Sequence, residues 1–191
     1  MDVLKEIDPA CALCFSGHRP ARLPGHGDPA SPEMQALTAA LRLELIAAVG
    51  RGKTVMLHGC MAGWDIFCAE QVIALKEQYP RVRLVSVAPY KAEFFSREKC
   101  WTPDWISRAR EVFRQHDAGV KIAEVYRPGI YYERNRALVE HSSELLCYWD
   151  GGPGGTKYTV DRAEEKGLAV RNQYTRRSKK TACPCPAFML Q

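Results

Sequence analysis

A glycine-rich segment after the fifth predicted strand carries the strongest chemical signal in the chain. It reads Asp150-Gly-Gly-Pro-Gly-Gly155-Thr156. Glycines let a backbone approach an anion closely, and Thr156 adds a hydroxyl where a helix begins. A flexible turn is the alternative, but four glycines and a proline directly between a strand and a helix serve a turn poorly. We therefore predict that this loop, through Gly154, Gly155 and Thr156, binds a phosphate group.

A second loop, Ser16-Gly17-His18-Arg19-Pro20, follows the first predicted strand. Gly17 allows a ligand to approach the backbone, and the Arg19 guanidinium can pair with a phosphate through two parallel hydrogen bonds. His18 is weaker evidence, because a histidine at a strand end is as often structural as catalytic. Ser16, Gly17, His18 and Arg19 are predicted ligand contacts.

The loop over residues 59–65 has a similar design, since Gly59 and Gly63 open a predicted helix that carries Asp65 and Glu70 in its first turns. A carboxylate in that position could bind ribose hydroxyls. It could equally do no more than interact with the helix macrodipole, and for Glu70, further along, that interpretation is preferred. If the protein is an enzyme, Asp65 and Glu70 are the candidate catalytic carboxylates.

Three other patterns do not predict a site. The segment Gly50-Arg-Gly-Lys-Thr54 ends like a P-loop, but it lacks the first glycine of that motif and precedes a strand instead of following one. Cys60 is disfavoured as a nucleophile, because nothing in the sequence lowers its pKa. The segments Cys11-Ala-Leu-Cys14 and Cys183-Pro-Cys185 hold four thiols, yet the first lies on a predicted strand, where side chains three apart face opposite ways. We therefore predict no metal site.

Apolar strands alternate with amphipathic helices along most of the chain. The clearest helix begins after the capping residue Ser31, has Pro32 at its first position and ends at Gly50. The predicted strands are 11–16, 54–57, 82–88, 120–125, 144–149 and 168–170, and the other predicted helices are 62–78, 104–116, 132–141 and 158–166. This alternation predicts an α/β fold: a three-layer, Rossmann-like domain with a mostly parallel central sheet over residues 1–172. Ligands bind such sheets at the carboxyl ends of the strands, where the unusual loops gather.

Composition and charge exclude several classes of protein. The 191 residues are 46% hydrophobic and 26% charged, as in one globular domain, and from the sequence we expect neither a membrane span nor a secretion signal. We expect a cytoplasmic protein with no membrane partner.

Six basic residues and no acid follow Glu165, so the total charge of +5 leaves residues 1–165 at −1. Residues 173–191 are interpreted as a basic, Cys/Pro-containing tail, which offers the one route to a nucleic-acid partner; a solvated end is favoured.

The loops also occur in an order and spacing that resemble the YpsA-type family of the SLOG superfamily. The matching segments are Ser-Gly-His-Arg-Pro at 16–20, Gly59, Gly63 and Asp65 with Ala69-Glu70, Arg134-Asn135-Arg136, Trp149-Asp150-Gly, and Gly154-Gly155-Thr156. This superfamily has a Rossmann-like fold and includes cytokinin-activating phosphoribohydrolases, DprA-type DNA-binding proteins and domains that sense nucleotide-derived ligands. The resemblance covers residues 11–172. It implies a nucleotide pocket lined by Gly17, Arg19, Gly59, Gly63, Asp65, Arg134, Asn135, Gly154, Gly155 and Thr156.

One departure from that resemblance affects the expected function. The enzymes of the superfamily place a glutamate shortly after the Gly-Thr pair to support cleavage of an N-glycosidic bond, whereas here the first acid after Thr156 is Asp161. We expect a sensor or sequestering module that binds a nucleotide-type ligand, either NAD- or ADP-ribose-like or a nucleoside phosphate, and requires no cofactor. The ligand base would stack near Trp64, Tyr126 or Tyr131. The alternative is an N-glycoside hydrolase or ribosyltransferase; a homodimer through an exposed helix face is left open.

Overall fold

A computed structural model describes residues 3–91 and 98–174 of the chain, and within them six strands form one sheet. The strands are β1 (Ala12–Gly17), β2 (Val55–His58), β3 (Arg83–Ala88), β4 (Ala118–Lys121), β5 (Glu144–Tyr148) and β6 (Ala169–Asn172). Their order across the sheet is β4-β3-β2-β1-β5-β6, and every neighbouring pair is parallel. The predicted Rossmann-like α/β class is confirmed, and the described sheet is entirely parallel.

Five α-helices cover the two faces of this sheet in the described part of the chain. They are α1 (Pro32–Gly50), α2 (Trp64–Lys76), α3 (Pro103–Gln115), α4 (Ile130–Glu140) and α5 (Gly155–Glu165). Leu13 and Phe15 of β1 pack in one apolar cluster with α1, α2 and α3, whereas Ala12 and Cys14 pack in a second cluster with α4 and α5. Because both faces of β1 are covered, its side chains are apolar on both, which is why the strand is an uninterrupted apolar run in the sequence.

The predicted element boundaries are close except at β4 and α5. β4 is found at Ala118–Lys121 instead of 120–125, since Val125 lies beyond the strand and is 70% exposed. The α5 helix begins at Gly155 instead of Tyr158, because glycine has a low helix propensity and concealed the first turn. The α1 helix is confirmed from Pro32 to Gly50, with the Ser31 hydroxyl accepting the Met34 N–H at 3.3 Å.

The segment that resembles a P-loop is a helix-to-strand turn, as predicted. The α1 helix ends at Gly50, and Gly52 adopts a φ of +86°, which glycine tolerates better than other residues. The Lys53 ammonium donates to the Ala10 carbonyl at 2.6 Å and to the Ser143 hydroxyl at 2.7 Å. It is therefore a structural contact at the amino end of the sheet, opposite the edge where ligands bind such folds.

The described chain continues past the last strand. The Gln173 N–H donates to the Cys147 carbonyl, and the Tyr174 ring packs edge-on against Tyr148 with 5.3 Å between centroids. Packing thus extends two residues beyond the predicted boundary at 172, and the rest of the predicted tail, including Cys183–Cys185, lies outside the described residues. No helix in the described ranges is long and apolar enough to cross a membrane.

Candidate functional site

A cavity of about 400 Å³ lies at the carboxyl ends of β1 and β5. The strand order reverses at this point, since β2, β3 and β4 lie to one side of β1 while β5 and β6 lie to the other. Ligands bind doubly wound sheets at such a switch point. The cavity is lined by Phe15, Ser16, Gly17, His18, Arg19, Ala21, Arg22, Asp65, Tyr131, Arg134, Asn135, Trp149, Gly152, Pro153, Gly154, Gly155 and Thr156.

One wall of the cavity is the N-terminus of α5. Its N-cap, Gly154, has a φ of 137° and a ψ of −168°, a conformation that is nearly exclusive to glycine, and no described side chain caps the helix. The first intrahelical bond runs from the Tyr158 N–H to the Gly154 carbonyl, so the N–H groups of Gly155, Thr156 and Lys157 precede the helical ladder. Because Gly154, Gly155 and Thr156 line the cavity, this helix end provides donors and partial positive charge to an anion there.

The opposite wall contains a buried ion pair between α4 and α2. Arg134 Nη1 donates to Asp65 Oδ2 at 3.1 Å, and the two residues are only 4% and 5% exposed. Burial raises the pKa of Asp65, although Arg134 opposes this effect by stabilising the carboxylate. Arg134 Nε is buried and has no hydrogen-bond partner among the described residues. A buried guanidinium with an unused donor at a cavity wall is costly unless an acceptor enters the cavity.

Asn135 connects this wall to the glycine loop. Its Nδ2 donates to the Gly155 carbonyl at 3.4 Å, and the Thr159 hydroxyl donates to the same carbonyl at 2.9 Å. These contacts fix the first turn of α5 relative to α4. Asn135 therefore orients the loop as well as lining the cavity.

His18 joins the loops that follow β1 and β5. Its Nε2 accepts the Asp150 N–H at 3.1 Å, and Asp150 Oδ1 lies at the same distance from that nitrogen. The two contacts demand opposite protonation of Nε2. Burial lowers the pKa of His18 and outweighs the attraction of Asp150, so we assign the neutral ring that accepts the N–H. His18 acts here as a structural link, while the Asp150 carboxylate accepts the Gly152 N–H at 2.9 Å and shapes the glycine loop.

Arg19 enters the cavity from the first loop but is not free. Its Nε donates to Glu98 Oε2 at 3.1 Å, and its Nη2 lies 3.5 Å from Glu98 Oε1. Burial acts to raise the pKa of Glu98, but Arg19 and hydrogen bonds from Cys100 and Tyr131 lower it below the usual value. Glu98 is therefore ionised at neutral pH. Glu98 could not be predicted as a site residue, because it lies 79 residues from its partner and outside every loop motif.

The comparisons with known proteins agree with this architecture. The sequence model of the YpsA family, described as the YspA SLOG family, matches residues 13–178. The chain belongs to this SLOG family. A UPF0398 protein of Bacillus pumilus (strain SAFR-032) is 26% identical over 155 residues, which cover 80% of this chain and 81% of that protein. A UPF0398 protein of Bacillus thuringiensis (strain Al Hakam) is 26% identical over 158 residues, covering 81% and 83%.

Two solved structures have a similar fold. One is DNA processing protein A from Helicobacter pylori, which is described with its single-stranded DNA binding mode. It has a TM-score of 0.61 and 16% sequence identity, and the match covers 93% of this chain and 71% of the Helicobacter chain. DprA from Streptococcus pneumoniae has a TM-score of 0.56 at 16% identity, covering 90% and 51%. At this level of identity the likeness shows the fold alone.

Ten of the twelve predicted ligand contacts of this SLOG protein line the cavity; the exceptions are Gly59 and Gly63. A Cβ at Gly59 would lie 1.2 Å from Arg134 Nη1, and a Cβ at Gly63, whose φ is +99°, would lie 2.4 Å from the His18 carbonyl oxygen. Both glycines therefore lie behind the lining, where they leave space for residues that form it.

Two other candidates lie away from the cavity. Glu70 forms two 2.6 Å hydrogen bonds with Arg108 on the α1–α3 face of the sheet, and it does not line the cavity. Trp64 is fully buried, and its indole N–H donates to the Leu146 carbonyl at 3.2 Å. The expectation that it stacks on a ligand base is therefore wrong.

Of the other expected stacking residues, Tyr131 lines the cavity, whereas Tyr126 packs on Tyr90 and Tyr131 outside the lining.

Sequence reasoning missed two residues with clear roles in the lining. The Trp149 indole N–H donates to the Gly152 carbonyl at 2.7 Å and supports the glycine loop, and Arg22 approaches Asp150 Oδ2 at 3.7 Å. Trp149 adjoins the glycine-rich segment, which was an available signal, whereas Arg22 lies in a loop with no such pattern.

Burial raises the pKa of Cys60 to about 12, so its thiol is protonated at neutral pH. The described ranges contain no cluster of three or more His, Cys, Asp or Glu that could hold a metal.

Proposed function

We propose that this protein binds a nucleotide or nucleotide-derived small molecule, a nucleoside phosphate or an NAD- or ADP-ribose-like compound, and acts as a sensor or sequestering module. One observation supports this most: the uncapped N-terminus of α5 and Arg134, a buried arginine whose Nε has no described hydrogen-bond partner, line the same cavity. Both are donors that suit an anionic or polar ligand at the switch point of the sheet.

Different groups of lining residues suit the phosphate, the ribose and the base of such a ligand. In this proposal the phosphate binds the backbone N–H groups at Gly154–Thr156, and Arg19 and Arg22 line the same cavity. Asp65 and Asn135 provide polar groups for ribose hydroxyls, and the rings of Tyr131 and Trp149 provide surfaces for a base. The cavity volume of about 400 Å³ lies within the range of small-molecule sites.

Binding is favoured over turnover because the first turn of α5 has no carboxylate. The nearest following acid, Asp161, pairs with Lys157 at 2.5 Å on the exposed side of the helix. It is not part of the cavity lining. A carboxylate for glycoside cleavage would have to come from elsewhere.

The direct test measures thermal stability and calorimetric binding with AMP, ADP-ribose, NAD and ribose 5-phosphate. A ligand at 100 times its Kd stabilises the fold by about 2.7 kcal/mol, which raises the Tm of a protein of this size by about 5–10 °C. Gly155→Asp should abolish this shift, because it places a carboxylate where the phosphate is expected; a Cβ there has 3.9 Å to its nearest neighbour, so the fold can accept it.

Two controls accompany this test. The isosteric Gly155→Asn should bind better than Gly155→Asp, since it lacks the charge. Arg136→Ala, on the outer face of α4, should bind like the unmodified protein. If none of the four ligands stabilises or binds the unmodified protein, the proposal is wrong.

The alternative function is an N-glycoside hydrolase or ribosyltransferase, and Asp65 keeps it under consideration. Asp65 is a cavity carboxylate whose pKa is raised by burial, and carboxylates stabilise oxocarbenium-like centres. Release of a free base from AMP or NAD, lost in Asp65→Asn, would support the enzyme. An intact ligand recovered after prolonged incubation would support the sensor.

Nucleic acid is the weaker partner, although DprA from Helicobacter pylori is described as binding single-stranded DNA. Each arginine of the cavity already has a carboxylate nearby: Arg19 with Glu98, Arg22 with Asp150, and Arg134 with Asp65. The cavity therefore offers little unbalanced positive charge to a polyanion.

A further inference from the structure

Glu98 forms an ion pair with Arg19, one of the three arginines that line the cavity. Arg19 offers Nε and Nη2 as parallel donors, the fork that matches a phosphate or a carboxylate. In this structure Glu98 takes both donors, with Oε2 at 3.1 Å and Oε1 at 3.5 Å. The carboxylate thus stands in the position of a competing anion.

The surroundings hold Glu98 in its ionised form. The Cys100 thiol donates to Glu98 Oε2 at 3.5 Å, and Tyr131, which lines the cavity, also stabilises the carboxylate. The Glu98 and Arg19 side chains are 29% and 38% exposed, so solvent can reach the pair and an incoming anion can exchange with it. Such a partly exposed pair is weak enough to open without unfolding the site.

We propose that Glu98 is an internal competitor that sets the affinity of the site for phosphate at Arg19. This inference rests on the proposed function, since it requires a phosphorylated ligand in the cavity. When the ligand binds, Arg19 exchanges the Glu98 carboxylate for a phosphate oxygen pair, and the free energy of that broken contact is subtracted from the binding free energy. A neutral nucleoside leaves the Arg19–Glu98 pair intact, so its binding free energy does not include the breaking of that contact.

The opposite role is a positioning one, in which Glu98 holds Arg19 ready for the ligand. The two roles predict effects of opposite sign. If Glu98 competes, its removal tightens phosphate binding; if it positions, its removal weakens binding. The sign of the change in Kd therefore decides between them.

The experiment is calorimetric titration of the full chain with AMP, ribose 5-phosphate and inorganic phosphate, and with adenosine as the uncharged probe. Glu98→Gln keeps the shape of the side chain and removes its charge. We expect about three- to tenfold tighter binding of the phosphorylated probes, as for the loss of a charged hydrogen-bonded competitor, and no change for adenosine. The gain should disappear in the Arg19→Ala background and shrink at high salt.

Controls separate this effect from a change in fold or net charge. Glu111→Gln removes a carboxylate that pairs with Arg114 on the exposed face of α3 and should leave every Kd unchanged. Circular dichroism and Tm verify folding, and Glu98→Ala repeats the test with a smaller side chain. Equal or weaker phosphate binding in Glu98→Gln, with normal binding by the unmodified protein, overturns the competitor and leaves the proposed function in place. If no phosphorylated probe binds any of the proteins, the competitor is overturned. The proposed function is overturned with it only if NAD and ADP-ribose also fail to bind the unmodified protein.

Discussion

Gly59 lies directly after β2, behind the buried pair of Arg134 and Asp65. Its missing side chain is what allows that pair to form, because a Cβ would approach Arg134 Nη1 to 1.2 Å and Asp65 Oδ2 to 2.8 Å. We expect Gly59→Ala to push the guanidinium away from its carboxylate. Separating a buried ion pair costs about 3 kcal/mol.

Gly59→Ala should therefore lower the free energy of unfolding by about 2–4 kcal/mol and abolish ligand binding. Urea denaturation and calorimetry measure the two effects. Gly50→Ala is the matched control, since a Cβ at Gly50 meets nothing within 4 Å, and it should change neither quantity by more than about 1 kcal/mol. Normal ligand affinity in Gly59→Ala would contradict the role assigned to Arg134.

His58 provides a prediction about pH. The ring is fully buried, its Nε2 lies 2.7 Å from the Ser86 hydroxyl, and Ser86 in turn lies 2.8 Å from His116 Nδ1. Burial, together with the charges of His116 and Arg134, lowers the pKa of His58 to about 3. In the unfolded chain this histidine has an ordinary pKa near 6.5. Below that pH the unfolded chain therefore binds a proton at this ring, whereas the ring of the folded state remains neutral.

The stabilisation by neutral His58 is therefore complete above pH 6.5 and decreases as the pH falls towards 3. Between pH 6.5 and pH 5 we expect a loss of about 2 kcal/mol, in addition to the contributions of other groups. Urea denaturation at several pH values gives the free energy of unfolding as a function of pH. Its slope between pH 6.5 and pH 5 should correspond to about one proton fewer in His58→Gln than in the unmodified protein. An unchanged slope in His58→Gln would show that the ring titrates normally.

The position of single residues at the cavity was predictable from sequence where a local pattern marked them, whereas their role in binding stays a prediction. Arg19 and Asp65 adjoin glycines at strand ends, and both line the cavity. Glu98 could not be found, because its role arises from a contact with Arg19 across 79 residues. Trp64 was misjudged because sequence position does not show which face of a helix turns towards the core, and the ring is enclosed against Tyr148.

At the scale of elements, α5 depends on a glycine at each end. Gly154 precedes the helix with a φ of 137°, Gly167 follows it with a φ of +79°, and a Cβ at either position meets nothing within 4 Å. Alanine would therefore strain the backbone without a clash, at a cost of about 1–3 kcal/mol at each end. Only Gly154 lines the cavity.

The pair Gly154→Ala and Gly167→Ala separates stability from binding. Both variants should lose stability by comparable amounts in urea denaturation. Gly154→Ala alone should weaken ligand binding by tenfold or more in calorimetry, because it redirects the N–H groups of the first turn of α5. Equal affinities in the two variants would show that the helix N-terminus does not hold the ligand.

Elements were predictable when their periodicity and end signals agreed. The α1 helix has both, with Ser31 and Pro32 at its start and a buried stripe along its length. The β4 strand has neither: it is a four-residue edge strand whose burial alternates between intermediate and exposed. Its position depends on pairing with β3, which a sequence window cannot show.

At the scale of the whole molecule, the parallel topology explains why loops and helix ends that are far apart in the sequence form one cavity. Strands in one direction place all their carboxyl ends at one edge, and the reversal between β1 and β5 opens a gap there. The alternation of strands and helices was enough to predict this placement. The charge balance of the cavity was not predictable, because it depends on pairs formed between distant segments.

The uneven charge of the whole chain yields the last prediction. Four basic residues and no acid occur after residue 174, so removing residues 175–191 lowers the net charge from +5 to +1 while keeping every described strand and helix. We expect the full chain to bind single-stranded DNA weakly, with a log–log salt slope of at most about −3, since each neutralised phosphate contributes about −0.7. Fluorescence anisotropy with a labelled oligothymidine at 50–200 mM salt measures this slope. The shortened chain should lose DNA binding and retain its nucleotide affinity. Undiminished DNA binding by the shortened chain would instead locate the DNA site on the folded body, and nucleic acid would then replace the small molecule as the preferred partner.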